Sequence, residues 1–181
     1  LQAGWRPDLK TLPEVLEQLL DALEYSHSRG VIHRDIKPGN IMVSKEGSPV
    51  ILDFGLARVE EEASALLTRS GEVFGTPAYI SPEQLKSGRD VDRRTDVYSL
   101  GVVLYEGATH QLPFRGETVT DTMTQIIRDE PVEATGVNAA VSPGLNAIIQ
   151  RCMKKNREER FLSAADLARA LEEQMAQAST A

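Results

Sequence analysis

The residues most able to do chemistry in this 181-residue chain fall in two short runs. The first is His33-Arg34-Asp35-Ile36-Lys37-Pro38-Gly39-Asn40; the second, one short hairpin later, is Asp53-Phe54-Gly55. Asn40 and Asp53 carry hard side-chain oxygens, the donors that magnesium prefers. Lys37 stands two residues past Asp35, and on extended backbone that spacing turns both side chains the same way. His33 adds a group whose ordinary pKa lies near neutrality.

Such groups must be held by something rigid, and the flanking residues supply it. Thr11-Leu12-Pro13-Glu14 reads as a capping box that opens a helix. Leu12, Val15, Leu16, Leu19, Leu20 and Leu23 then recur at helical spacing until Gly30. Three β-prone runs follow: Val31-Ile32, Ile41-Met42-Val43 and Val50-Ile51-Leu52. Both acidic runs therefore sit on loops beside short strands. From Ala57 to Gly75 the chain is polar and charged, and a flexible surface segment is expected there. The stretch Thr95 to Thr109 is apolar nearly all round and reads as a helix buried in the middle of the domain. Ser142-Pro143 forms an N-cap and N1 pair ahead of a stripe of Leu145, Ile148, Ile149, Cys152 and Met153. Ser163-x-x-Asp166 opens a last helix carrying Leu167, Ala170, Leu171 and Met175. Core packing accounts for all of these stripes.

Composition narrows the function classes. A formal net charge of -7 leaves no basic excess to neutralise nucleic-acid phosphates, so no nucleic-acid partner is expected. The single cysteine, Cys152, cannot form an internal disulfide, and its core-facing place in a helix marks a buried, inert thiol. No apolar run is long enough for a membrane segment. The first ten residues show neither a signal peptide nor an initiator methionine. A cytoplasmic domain cut from something longer is the simplest expectation.

In order and spacing the two runs resemble the catalytic loop, H-R-D-x-x-x-x-N, and the D-F-G motif of protein kinases. The resemblance continues downstream. Gly75-Thr76-Pro77-Ala78-Tyr79-Ile80-Ser81-Pro82-Glu83 is similar to the end of a kinase activation segment, with Ser81 where the closing A-P-E triplet has alanine. Asp96-Val97-Tyr98-Ser99-Leu100-Gly101 resembles part of the family's buried central helix. Val31 to Asn40 and Val73 to Pro77 look most like bacterial, eukaryotic-like members. The fold implied is mainly α with small β-hairpins: a protein-kinase-like large lobe, with the small N-terminal lobe absent. It would occupy 1–177, with the catalytic loop at 33–40, the activation segment at 53–83 and a helical subdomain at 84–177. A polar tail would occupy 178–181.

The resemblance also implies roles, carried over position by position. Asp35 matches the aspartate that accepts the substrate hydroxyl's proton and aims its oxygen at the γ-phosphate of ATP. Lys37 matches a lysine that contacts that phosphate and marks the serine/threonine branch. Asn40 and Asp53 match the ligands of Mg2+. Met42 would lie beneath the adenine, although a plain core role fits the same position. Thr76 would belong to the substrate site. Arg34, next to the catalytic aspartate, implies regulation by phosphorylation of the activation loop, with Thr68 or Ser70 as acceptor, although plain solvated hydroxyls fit the same positions. A second copy acting in trans is the implied autophosphorylation partner, and a protein Ser/Thr hydroxyl the implied substrate. Structural roles are implied for His33 packed on Phe54, for Glu83 paired with Arg160, and for Asp96 bracing the catalytic loop. His27 and His110 have no partner motif and read as incidental.

Parts of the family pattern are missing from this stretch of chain. It holds no G-x-G, no V-A-I-K-like strand lysine and no G-x-x-x-x-G-K. The expectation is an enzyme that transfers phosphate only when completed by a small lobe, and an isolated chain that is inactive or barely active. It would be cytoplasmic, or the cytoplasmic part of a longer membrane-anchored kinase. The alternative is a non-catalytic, pseudokinase-like interaction module. Joint retention of Asp35, Lys37, Asn40 and Asp53 weighs against it, since such a module needs none of them.

Overall fold

The computed structural model describes residues 12–44, 47–53, 77–86 and 91–179. Helix α1, Leu12–Ser28, buries Val15, Leu16, Leu19, Leu20 and Leu23 along one stripe. It closes where Gly30 takes the left-handed conformation, with φ at 75°. The Gly30 and Val31 amides donate back to the His27 and Ser26 carbonyls, each at 3.0 Å. Val31-Ile32, expected as a β-prone run, is not a strand: the Val31 amide is spent on the helix end. Thr11, the expected cap, lies outside the described residues.

Strands β1 (Ile41–Val43) and β2 (Pro49–Ile51) form an antiparallel hairpin pairing Ile41 with Ile51, Met42 with Val50 and Val43 with Pro49. The second strand ends one residue before Leu52. Beyond it come α2 (Pro82–Lys86), α3 (Arg94–Thr109), α4 (Val119–Arg128), α5 (Ala134–Val137), α6 (Pro143–Cys152) and α7 (Ala164–Ser179). The fold is thus mainly helical with one small two-stranded sheet among the described residues, as the sequence leads one to expect of a large lobe.

The core is built round α3. Every residue of that helix except Arg94 and Glu106 is buried. Gly101 lets α6 approach closely: a Cβ at that position would stand 2.5 Å from the Cβ of Cys152. The caps expected of α6 and α7 are present. Ser142 Oγ accepts from the Leu145 amide at 3.1 Å, and Ser163 Oγ from the Asp166 amide at 3.0 Å. One expectation for α7 needs correction. Met175 is 47% exposed, because the buried stripe ends at Leu171, one turn earlier. The helix runs to Ser179. No described helix is long and apolar enough to cross a membrane.

Cys152 is fully buried, and that burial pushes its thiol up to about 12. A thiolate is the reactive form. Native protein is therefore expected to resist iodoacetamide at pH 8, with alkylation at Cys152 appearing only in denaturant, as read by intact-mass spectrometry.

Candidate active site

The 33–40 loop folds back on itself through a tight turn. Lys37 is extended, with φ −160° and ψ 161°, and Pro38–Asn40 then form one 3-10 turn with proline pre-setting its start. That turn returns Asn40 to Asp35. The Asn40 amide nitrogen donates to the Asp35 carbonyl and to Asp35 Oδ2, both at 2.8 Å. Lys37 Nζ donates to Asp35 Oδ1 at 3.0 Å and to Oδ2 at 2.8 Å. The Asp35 and Lys37 side chains keep 25% and 34% of their surface exposed, so this charged pair can meet a ligand from solvent. With its amide nitrogen engaged twice, Asn40 has its side-chain oxygen, a hard donor, left over.

Leu52 joins this loop to Asp53. Its amide donates to the Asn40 carbonyl at 2.8 Å, and its carbonyl accepts from His33 Nε2 at 3.0 Å. His33 Nδ1 meanwhile accepts from the Asp35 amide at 3.2 Å. A carbonyl can only accept and an amide N–H can only donate, so the two contacts together specify a neutral imidazole protonated on Nε2. The ring is wholly buried and is a spacer between the two acidic runs, with both nitrogens occupied. Asp53 itself is exposed and left-handed, with φ at 53°.

Beneath the loop lies Asp96, fully buried at the start of α3. Its Oδ1 accepts from the Arg34 amide at 2.8 Å; its Oδ2 accepts from the His33 amide at 2.9 Å and from His27 Nε2 at 2.7 Å. His27 is therefore not incidental. It is a buried donor from the last turn of α1, and it ties that helix to α3 under the loop. Nothing near His27 in sequence signals this, because its partner is 69 residues away. His110, by contrast, only ends α3 in a left-handed turn, its amide donating to the Glu106 carbonyl.

A second buried cluster holds the far side. Arg160 donates from both terminal nitrogens to Glu83, at 2.7 and 2.8 Å, and its Nε donates to the Lys154 carbonyl at 2.7 Å. Further bonds run to the Arg94 carbonyl at 3.1 Å and the Lys155 carbonyl at 3.3 Å. Thr95 Oγ1 donates to Glu83 Oε1 at 2.7 Å. Burial pushes the Glu83 carboxyl up, but the bonds and charge of Arg160, with Thr95, outweigh it and hold the group below the ordinary carboxylate range.

Several expected site residues are placed less informatively. Met42 is half-buried in β1 opposite Val50. Arg34 is left-handed, and among the described residues its buried Nε has no hydrogen-bond partner. Phe54, Thr68, Ser70 and Thr76 lie outside the described residues. Among those described, no three His, Cys, Asp or Glu side chains gather as a metal cage. Magnesium bound with a nucleotide does not need one, since phosphates and water supply most of its oxygens. The hard oxygens of Asn40 and Asp53 fit that ion.

Comparison with known proteins bears on the same residues. A family model described as protein kinase domain matches residues 7–171. The chain is 41% identical over 154 residues to the serine/threonine-protein kinase PknB of Mycolicibacterium smegmatis, covering 85% of this chain and 24% of that protein. Against the protein of the same name from Mycobacterium tuberculosis (strain H37Rv), identity is 40% over 154 residues, with the same coverage. Against the serine/threonine-protein kinase PksC of Streptomyces coelicolor it is 42% over 163 residues, covering 90% of this chain and 29% of that protein. The chain spans about a quarter of the length of these curated relatives.

Proposed function

The chain belongs to the protein kinase family, and from that premise we propose that it is the large lobe of a serine/threonine kinase, active when completed by a small lobe. The observation that carries this reading is the Asp35 carboxylate, gripped by Lys37 and Asn40 and tied through Leu52 to Asp53. Magnesium and ATP, when bound, supply the transferable phosphoryl group and the positive charge beside it.

The chain's own residues then have distinct work. Asp35 takes the proton of a protein Ser or Thr hydroxyl and orients its oxygen for attack. Lys37, already within bonding distance of Asp35, places an ammonium where negative charge develops. Asn40 and Asp53 offer side-chain oxygens to the metal, while Met42 in the hairpin lines the adenine side. Asp96 holds the backbone of His33 and Arg34, and His33 keeps the spacing to Leu52. Arg34 receives the phosphate of a modified Thr68 or Ser70, placed there by a second copy in trans; Thr76 contacts the acceptor peptide. A cytoplasmic location belongs to the same proposal, since that is where ATP and protein substrates meet.

The testing experiment is thermal. Chain completed by a small lobe is expected to melt higher in saturating Mg·ATP, by about 2.7 kcal/mol of added stability at a hundred times Kd. Asp53→Ala is expected to remove that shift without lowering the ligand-free melting temperature much, because Asp53 is exposed. Absence of any Mg·ATP shift in the wild type would favour the non-catalytic interaction module instead.

A further inference from the structure

Arg34 is a non-glycine residue at φ 68°, a conformation that costs energy and persists only where neighbours over-determine it. Both of its backbone polar groups are held by side chains from elsewhere. Its amide donates to Asp96 at 2.8 Å, as described above. Its carbonyl accepts from Gln84 Nε2, also at 2.8 Å. Gln84 belongs to α2, just past the Ser81-Pro82-Glu83 triplet.

The amide of Gln84 cannot turn over. Its nitrogen faces a carbonyl, which needs a donor; its oxygen faces the Ser81 amide at 3.1 Å, which needs an acceptor. The Ser81 hydroxyl lies between the same Gln84 oxygen, at 3.0 Å, and Thr95 Oγ1, at 3.2 Å. Thr95 spends its own proton on Glu83, which Arg160 holds. With Thr95's proton spent, the single hydroxyl proton of Ser81 goes to Thr95 Oγ1 and the Ser81 amide makes the bond to Gln84, so a continuous set of bonds runs from the buried Arg160 through Glu83, Thr95, Ser81 and Gln84 to the residue before Asp35. Ser81-x-x-Gln84 reads as half a capping box for α2, which accounts for the oxygen of Gln84. It does not account for the nitrogen.

We propose that Gln84 is a positioning residue: its amide nitrogen fixes the Arg34 carbonyl, and so the approach of Asp35, to the end of the activation segment. Ser81, where the family pattern has alanine, belongs to this device, because its buried hydroxyl ties it to Thr95 while its amide orients Gln84. The inference rests on the phosphotransfer reading for its effect on rate, but not for its effect on the loop.

Gln84→Glu separates the two roles. A carboxylate can still accept from the Ser81 amide, and a capping box tolerates Glu at that position. It cannot donate to Arg34, and it sets negative charge against a carbonyl. In the chain completed by a small lobe, kcat is expected to fall roughly ten- to a hundredfold, the scale of a sub-ångström to 1 Å misplacement. KM for Mg·ATP should hold, with the melting temperature moving by no more than about 4 °C. Hydrogen exchange at the Arg34 and Asp35 amides should quicken while α3 stays protected. A role confined to capping predicts neither change, and Gln84→Met, which loses both, adds helix destabilisation. Unchanged exchange at those two amides overturns the proposal, as does unchanged kcat in an active enzyme. A wild type with no transfer at all would sink the phosphotransfer reading, and the exchange rates alone would then decide whether Gln84 holds the loop.

Discussion

Asp35→Asn is expected to lower kcat by about 10²–10⁴, the range for removing a positioned general base, in chain completed by a small lobe. The variant changes one atom type in a carboxylate that receives three donated bonds among the described residues. Lys37 Nζ donates to both Asp35 oxygens and Asn40 Nδ2 to one of them. An asparagine at this position has a single acceptor oxygen, so its own NH2 must face one of those donors. The base is lost, and the lysine loses part of its anchor. The metal-ligating oxygens proposed for Asn40 and Asp53 remain, so KM for Mg·ATP should change only a few-fold. Initial rates of phosphate incorporation at saturating Mg·ATP measure the effect. A variant that keeps the wild-type rate would remove Asp35 from the chemistry. A dead variant that also melts far below the wild type would mean only that the loop had collapsed.

Legibility differed by the kind of interaction involved. Asp35, Lys37, Asn40 and Asp53 stand out in sequence because the chemistry proposed for them depends on side-chain types at short spacings. The helices were legible because burial of one face repeats with the helical period, as along Val15 to Leu23. Ser142 and Ser163 were legible because a cap and its partner lie three residues apart. What stayed hidden was made of backbone groups and distant partners. Leu52 links the two acidic runs with its amide and carbonyl, which every residue type except proline possesses. His27 and Gln84 find their partners 69 and 50 residues away, and a single chain gives no sign of such pairing. Val31-Ile32 misled for the opposite reason: β-branched residues suit a strand, but the Val31 amide was needed to close a helix.

Breaking the ion pair between the buried Arg160 and the partly buried Glu83 should give a large loss of stability. Arg160→Met is expected to cost about 3–5 kcal/mol, or on the order of 10 °C in melting temperature at this chain length. Methionine matches much of the volume, so the loss comes from stranded polar groups rather than a void. The Glu83 carboxylate loses its charge partner, and the carbonyls of Lys154, Lys155 and Arg94 lose a donor. Glu83→Gln should cost less, because the amide oxygen still accepts from Arg160 or Thr95 and the arginine keeps its carbonyls. The pH dependence distinguishes a stranded charge from simple loss of packing. In the wild type the folded Glu83 carboxyl sits below its ordinary value, so its contribution is complete above about pH 4.3 and is lost as pH falls through that lowered value. Without Arg160 the carboxyl keeps the burial that raises it and loses the two largest influences that lower it, so it sits higher than in the wild type. Protonation then costs the variant less than it costs the wild type. The gap in unfolding free energy, measured in urea from pH 7 down to pH 3, should therefore narrow in acid. A gap that stays constant across that range would show that the Arg160 guanidinium acts through packing and its carbonyl bonds, not through the charge of Glu83.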